Sequence, residues 1–187
     1  DLGDHDVVIG RGQAADAVET LGYRLKVPLN ARTPTAHRWL RGVDKVDVVA
    51  ADHAPPSVRQ RLRGYQMVTV EGGTQALRRT VIAALSIEPG GVTRISVPSA
   101  FGALVMKAAA HQVDSRDRDR HLLDAVALLA CLEDPLSDRA TYVGSDRKRM
   151  DHLARALAAQ GNEVWLSLPS GPRQQARAAL QLLKAKP

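Results

Sequence analysis

Asp4-His5-Asp6-Val7-Val8-Ile9 and Lys45-Val46-Asp47-Val48-Val49-Ala50 are the two stretches whose reading decides the fold. Both are rich in valine and isoleucine, so both read as strands. Alternate side chains of an extended strand share a face. Asp4 and Asp6 therefore point the same way, and a neighbouring strand carrying Asp47 would set a third carboxylate beside them. Asp47 interrupts a run otherwise apolar enough to be buried, and a charge there calls for a partner. Three such carboxylates form a hard oxygen site of the kind Mg²⁺ takes together with water and phosphate oxygens, and a metal pair steadies the entering and leaving oxygens of a displacement. The competing reading is a solvated strand edge at Asp4 and Asp6 and a strand-end charge at Asp47.

Outward from these strands the chain changes from mixed to helical. Gln13 to Leu21 reads as a helix with Ala14, Val18 and Leu21 on one face and Gly22 beyond its end. Tyr23 to Val27, His37 to Arg41 and Lys45 to Ala51 read as short strands, punctuated by Pro28, Pro34 and Pro55-Pro56. Tyr65 to Val70, Thr80 to Ile87 and Thr93 to Val97 carry further strand signals, although Gln75 to Leu85 also fits one helix. From Ser99, an N-cap after Pro98, helices are predicted at Ala100 to Gln112, Asp119 to Leu132, Arg147 to Gln160 and Arg173 to Lys184. The expected architecture is α/β in the α+β sense: a mixed-sheet core over residues 1–98, followed by a helical region over 99–187 that completes the active site.

The acidic strands resemble the paired-acid element and third acid of the polymerase-β-like nucleotidyltransferases, and in particular the AbiEii and MenT-type toxins of bacterial toxin–antitoxin systems. Asp4-His5-Asp6-Val7 departs from that pattern at His5, where an apolar residue is usual, and no Gly-Ser element precedes the paired acids in this sequence. A second match runs from Val97-Pro98-Ser99 through Lys107-Ala108-Ala109-Ala110 to Arg118-Asp119-Arg120-His121-Leu122-Leu123-Asp124-Ala125, and is similar to the family's Pro turn, Lys-bearing helix and Asp-bearing helix. The resemblance implies nucleotide transfer from a nucleoside triphosphate to an RNA acceptor, a tRNA 3′ end, with blocked translation as the result and a cognate antitoxin as partner. It implies that Asp4, Asp6 and Asp47 hold Mg²⁺, that Asp47 activates the attacking hydroxyl, and that Lys107 grips phosphates while Asp124 orients Lys107 or the nucleotide.

The composition is compatible with that expectation. The formal charge of +6 comes with an excess of arginine, which favours anionic partners and bidentate phosphate contacts. Arg59, Arg61 and Arg63, and the run Arg147-Lys148-Arg149, are candidate RNA contacts, each competing with a solvated helix face. The single cysteine, Cys131, excludes an internal disulfide and suits a cytoplasmic location. No apolar run reaches membrane-spanning length.

Other functions stay open at this level. Gly10-Arg11-Gly12-Gln13-Ala14-Ala15 follows a strand and precedes a helix, the context of an NAD(P)-binding turn, but no acid ends the next strand, where Lys26-Val27-Pro28 stands. An antibiotic-modifying nucleotidyltransferase would keep the metal site yet favour an acidic groove, and a non-catalytic relative would keep only the binding surface. Gly72-Gly73-Thr74 and Gly90-Gly91-Val92 lack the ending of a P-loop and read as turns.

Overall fold

The computed structural model describes residues 5–9, 14–26, 37–53, 65–87, 91–161 and 163–185, with side chains for all of these except 5–9, 14, 15, 17 and 87. Asp4, Gly10, Gly12, Arg59, Arg61, Arg63 and the prolines 28, 34, 55 and 56 lie outside the described residues. The chain divides into two compact units, Asp1–Leu77 and Arg78–Pro187.

The first unit runs β1 (His5–Ile9), α1 (Ala14–Thr20), β2 (Arg24–Leu25), β3 (Arg38–Arg41), β4 (Asp44–Ala51), β5 (Thr69–Val70) and α2 (Gly73–Leu77). Its sheet is mixed. β1 and β5 lie parallel to β4, whereas β3 is antiparallel to both β4 and β2. The β3–β4 hairpin closes through Gly42 at φ 60°, a conformation that a residue without Cβ adopts without strain. From Val46 to Ala51 every residue of β4 is buried, so the strand is covered on both faces. Val46, Val48 and Ala50 pack with Trp39, Tyr23, Met67 and Val18 of α1. Asp47 alternates with that set and, with Val49 and Ala51, occupies the other face. Leu21 is a correction: expected on the buried face of the first helix, it lies past the last turn and is 62% exposed. Of the predicted strand Tyr65 to Val70 only Thr69–Val70 joins the sheet as a strand.

The second unit opens with the hairpin of β6 (Thr80–Ile87) and β7 (Gly91–Pro98). A single helix over Gln75 to Leu85 does not form, because the β-branched Thr80, Val81 and Ile82 pair across to Pro98, Val97 and Ser96 instead. The hairpin was expected in the N-terminal core over 1–98; the unit boundary at Leu77 places it with the helices. These are α3 (Ala100–Val113), α4 (Arg118–Ala130), α5 (Pro135–Ala140), α6 (Asp146–Ala159), α7 (Glu163–Leu166) and α8 (Ser170–Lys184). Each long helix presents one apolar stripe at helical spacing. Leu122, Ala125, Val126 and Leu129 of α4 meet Leu104, Val105 and Ala108 of α3, Met150, Leu153 and Leu157 of α6, and Ala176, Ala179, Leu180 and Leu183 of α8 in one core. The short helix α5 escaped the sequence reading although its signal is local: Pro135 starts it, and the Asp134 carboxylate accepts the Ser137 N–H at 3.0 Å.

Arg79 fastens the hairpin to these helices. Its carbonyl accepts the Ser99 N–H at 2.6 Å, and Ser99 in turn caps α3 by accepting the Gly102 N–H at 3.1 Å. Its guanidinium donates to the Asp146 carboxylate at 2.6 Å and to the Thr141 carbonyl at 2.8 Å, and lies 4.9 Å from the centroid of the Phe101 ring. Asp146 is completely buried. Among the described residues no helix is long and apolar enough to cross a membrane.

Candidate functional site

Parallel pairing of β1 with β4 makes Asp6 the register partner of Asp47, and antiparallel pairing of β3 makes Arg38 its partner on the opposite side. The central strand thus sets one acid level with Asp47 along one edge and one cation along the other. Asp47 is 7% exposed. Both of its oxygens are engaged by Arg38, which donates from Nε to Oδ1 at 2.8 Å and from a terminal nitrogen to Oδ2 at 2.6 Å. This bidentate fork holds the Asp47 carboxyl below its ordinary range, against the opposing effect of burial, with the charges of Arg38 and His37 adding to it. Asp47 is therefore ionised at neutral pH, as a metal ligand must be. A cation on Asp47 would share or displace the Arg38 fork.

Arg38 has no counterpart in the sequence reading. Its relation to Asp47 exists only through the β3–β4 register; the sequence places it simply within the strand His37 to Arg41. Asp52 is a second acid with a structural partner that no sequence motif marks. Its two oxygens accept the Gly72 and Thr74 N–H groups at 2.9 and 3.0 Å, tying the end of β4 to the start of α2. Burial opposes its ionisation, yet the N–H groups of Thr74 and Gly72 hold its carboxyl well below the usual range. Of Gly72-Gly73-Thr74, read from the sequence as a turn, only Gly72 lies in one, at φ 80°, whereas Gly73 and Thr74 open α2, with the Asp52 carboxylate as the tie.

In the second unit α3 and α4 pack side by side and bring Lys107 and Asp124 together, Nζ to Oδ2 at 2.6 Å. Their side chains are 34% and 36% exposed, so the pair is open to a ligand rather than sealed in the core. Further along the same seam His121 pairs with Asp114 at 3.2 Å. Behind it His111 of α3 and His152 of α6 share a hydrogen bond of 2.8 Å between ring nitrogens. Burial lowers both of these imidazoles, helped at His111 by His152 and Arg118 and at His152 by Arg155 and Arg118.

The run Arg147-Lys148-Arg149 does not form one basic surface. The helical turn of α6 separates its members: Lys148 is exposed, Arg147 is half-buried along the Tyr142 ring, and Arg149 is inside. Among the described residues no group of three or more metal-ligating side chains gathers. The parallel neighbour of β1 is β4, whereas a dinucleotide-binding turn leads through its helix to the parallel strand next door; β2, the strand that follows α1, pairs with β3 in antiparallel sense.

No family model matches the chain, and no curated protein or solved structure shows similarity to it.

Proposed function

We propose that this protein is a Mg²⁺-dependent nucleotidyltransferase that moves a nucleotide from a nucleoside triphosphate to an RNA acceptor, the 3′ end of a tRNA, and acts as a toxin restrained by a cognate antitoxin. The observation that carries this proposal is the register of Asp6 against Asp47 in a mixed sheet. The Lys107–Asp124 ion pair on adjacent helices supports it independently, since it joins two residues singled out by the same resemblance. Carboxylates are the donors that magnesium accepts, so Asp6 and Asp47, with Asp4, are the residues that would hold it. When bound it neutralises triphosphate charge at the reacting centre.

The rest of the chemistry falls to the chain. The acceptor hydroxyl oxygen bonds to the α-phosphorus, the bond from that phosphorus to the bridging oxygen breaks, and pyrophosphate leaves. Asp47 takes the hydroxyl proton. Release of the Arg38 fork raises the basicity of that carboxylate and frees a guanidinium for phosphate oxygens. The resemblance gives Lys107 of the second unit a phosphate-gripping role, and within that unit Asp124 holds the lysine in place.

Incubation of the protein with magnesium, each α-labelled nucleoside triphosphate in turn, and total RNA tests this. Label is expected on RNA of tRNA size, and absence of transfer from all four nucleotides would remove the proposal.

A further inference from the structure

A groove of about 410 Å³ opens beside the end of α8, lined by Leu136, Arg139, Tyr142, Val143, Gly144 and Arg147. Three of these side chains hold the last turn of that helix. Arg139 donates from one terminal nitrogen to the carbonyls of Leu182 and Ala185 at 3.2 and 3.1 Å, the Tyr142 hydroxyl donates to the Leu183 carbonyl at 3.1 Å, and Arg147 reaches the Ala185 carbonyl at 3.4 Å. A helix C-terminus carries only a partial negative charge. Here two full positive charges converge on one neutral oxygen, and no carboxylate of the described residues forms an ion pair with either guanidinium.

Each arginine spends a single terminal nitrogen on the helix end, so its Nε and its other terminal nitrogen keep their donors. Paired guanidinium forks without an ion-pair partner among the described residues are the chemistry that captures a tetrahedral oxyanion. Tyr142 stiffens the wall between them, stacked on Phe101 at 5.6 Å with Arg147 5.8 Å from its own ring centroid. Leu136 and Val143 are about half exposed and give the groove an apolar lip suited to a sugar edge.

We propose that this groove binds a phosphate group and, resting on the nucleotidyltransferase proposal above, that the phosphate belongs to the backbone of the RNA acceptor. Arg139 and Arg147 then replace the expected run Arg147-Lys148-Arg149 as the RNA contact in this part of the chain.

Fluorescence anisotropy of a labelled single-stranded RNA, without magnesium or nucleotide, tests it on the full chain and on Arg139→Gln, Arg147→Gln and Arg147→Lys. Each glutamine variant is expected to weaken binding about tenfold and to lower the salt dependence by about one phosphate contact. Arg147→Lys keeps the charge without the fork and falls between. Arg155→Gln, on α6 but outside the groove, binds as the wild type does. Inorganic pyrophosphate is expected to compete with the RNA and to raise the unfolding temperature of the wild type but not of an Arg139→Gln/Arg147→Gln double variant. Unchanged RNA binding by a double variant with wild-type circular dichroism overturns the proposal, as does failure of both RNA and pyrophosphate to bind the wild type. Protection by pyrophosphate with no RNA binding keeps the phosphate site and overturns the RNA assignment. Loss of nucleotide transfer with anisotropy intact touches only the nucleotidyltransferase proposal.

Discussion

Asp47 and Arg38 are joined so closely that any substitution of one acts on the other. Asp47→Ala leaves a partly covered guanidinium without its partner and costs about 1–2 kcal/mol of stability, whereas Asp47→Asn keeps the shape and one acceptor. The proposed chemistry predicts that Asp47→Asn abolishes nucleotide transfer with the circular dichroism spectrum unchanged; measurable turnover by that variant would exclude Asp47 from the catalytic step. The same proposal predicts that Lys107→Ala lowers turnover by about a hundredfold or more, as loss of a phosphate-neutralising donor would. The toxin proposal predicts that expression of the wild type alone slows growth and that Lys107→Ala relieves the effect at equal soluble protein. The His111–His152 pair predicts a pH dependence that no catalytic assay is needed to see. Both imidazoles lie below their ordinary value of 6.5 in the folded chain, so between that value and their folded pKa values the unfolded chain binds more protons. Their effect on stability is absent above about pH 7 and grows unfavourable as the pH falls through the unfolded value. Arg118 and Arg155 oppose protonation, and Asp119 is the one neighbour that favours it at His111. Urea midpoints should therefore drop between pH 7 and pH 5, and His152→Gln should flatten that slope; an equal slope in both proteins would show that the pair does not titrate as its burial demands.

At the scale of elements, α3 owes its position to Ser99, Gly102 and Arg79. A Cβ on Gly102 would stand 3.0 Å from the Arg79 carbonyl oxygen and 3.2 Å from the Arg79 Cβ. Backbone cannot yield there, since the same carbonyl already accepts the Ser99 N–H. Gly102→Ala should cost about 1–3 kcal/mol, outweighing the gain in helix propensity of about 1 kcal/mol, and a chemical-denaturation midpoint at or above that of the wild type would contradict this. The Ser99 cap was legible in the sequence, as was the helix behind it, because capping and periodicity act over three or four residues. The need for glycine at 102 was not, since it arises where β6 and α3 meet. The same holds for Arg149. Its place in a basic run suggested a surface, and only the packing of α6 against α3 and α8 turned it inward.

Among the described residues there are two apolar cores, and each contains one tryptophan. Trp39 is buried with Val18, Val46 and Val48 in the first unit, and Trp165 lies in the helical core of the second. Multi-unit chains depart from all-or-none unfolding, so Trp165→Phe and Trp39→Phe variants should report separate urea midpoints by fluorescence. Coincident midpoints would mean that the units unfold as one. The mixed α/β class, strands β1 and β4 and the long helices could be named from residue order, because strand alternation, helical stripes and caps are written in spacings of two to four residues; Lys107 and Asp124 were singled out by the family resemblance, and the packing of α3 on α4 paired them. The sequence by itself determined those elements and their chemical endowment. Which strand lies beside which, the fork of Arg38 on Asp47, the hydrogen bond from His111 to His152, the transfer of the β6–β7 hairpin to the helical unit and the convergence of Arg139 and Arg147 were decided only by the tertiary structure. Each joins elements through packing and chain closure, and no local spacing encodes which distant face a burying surface will find.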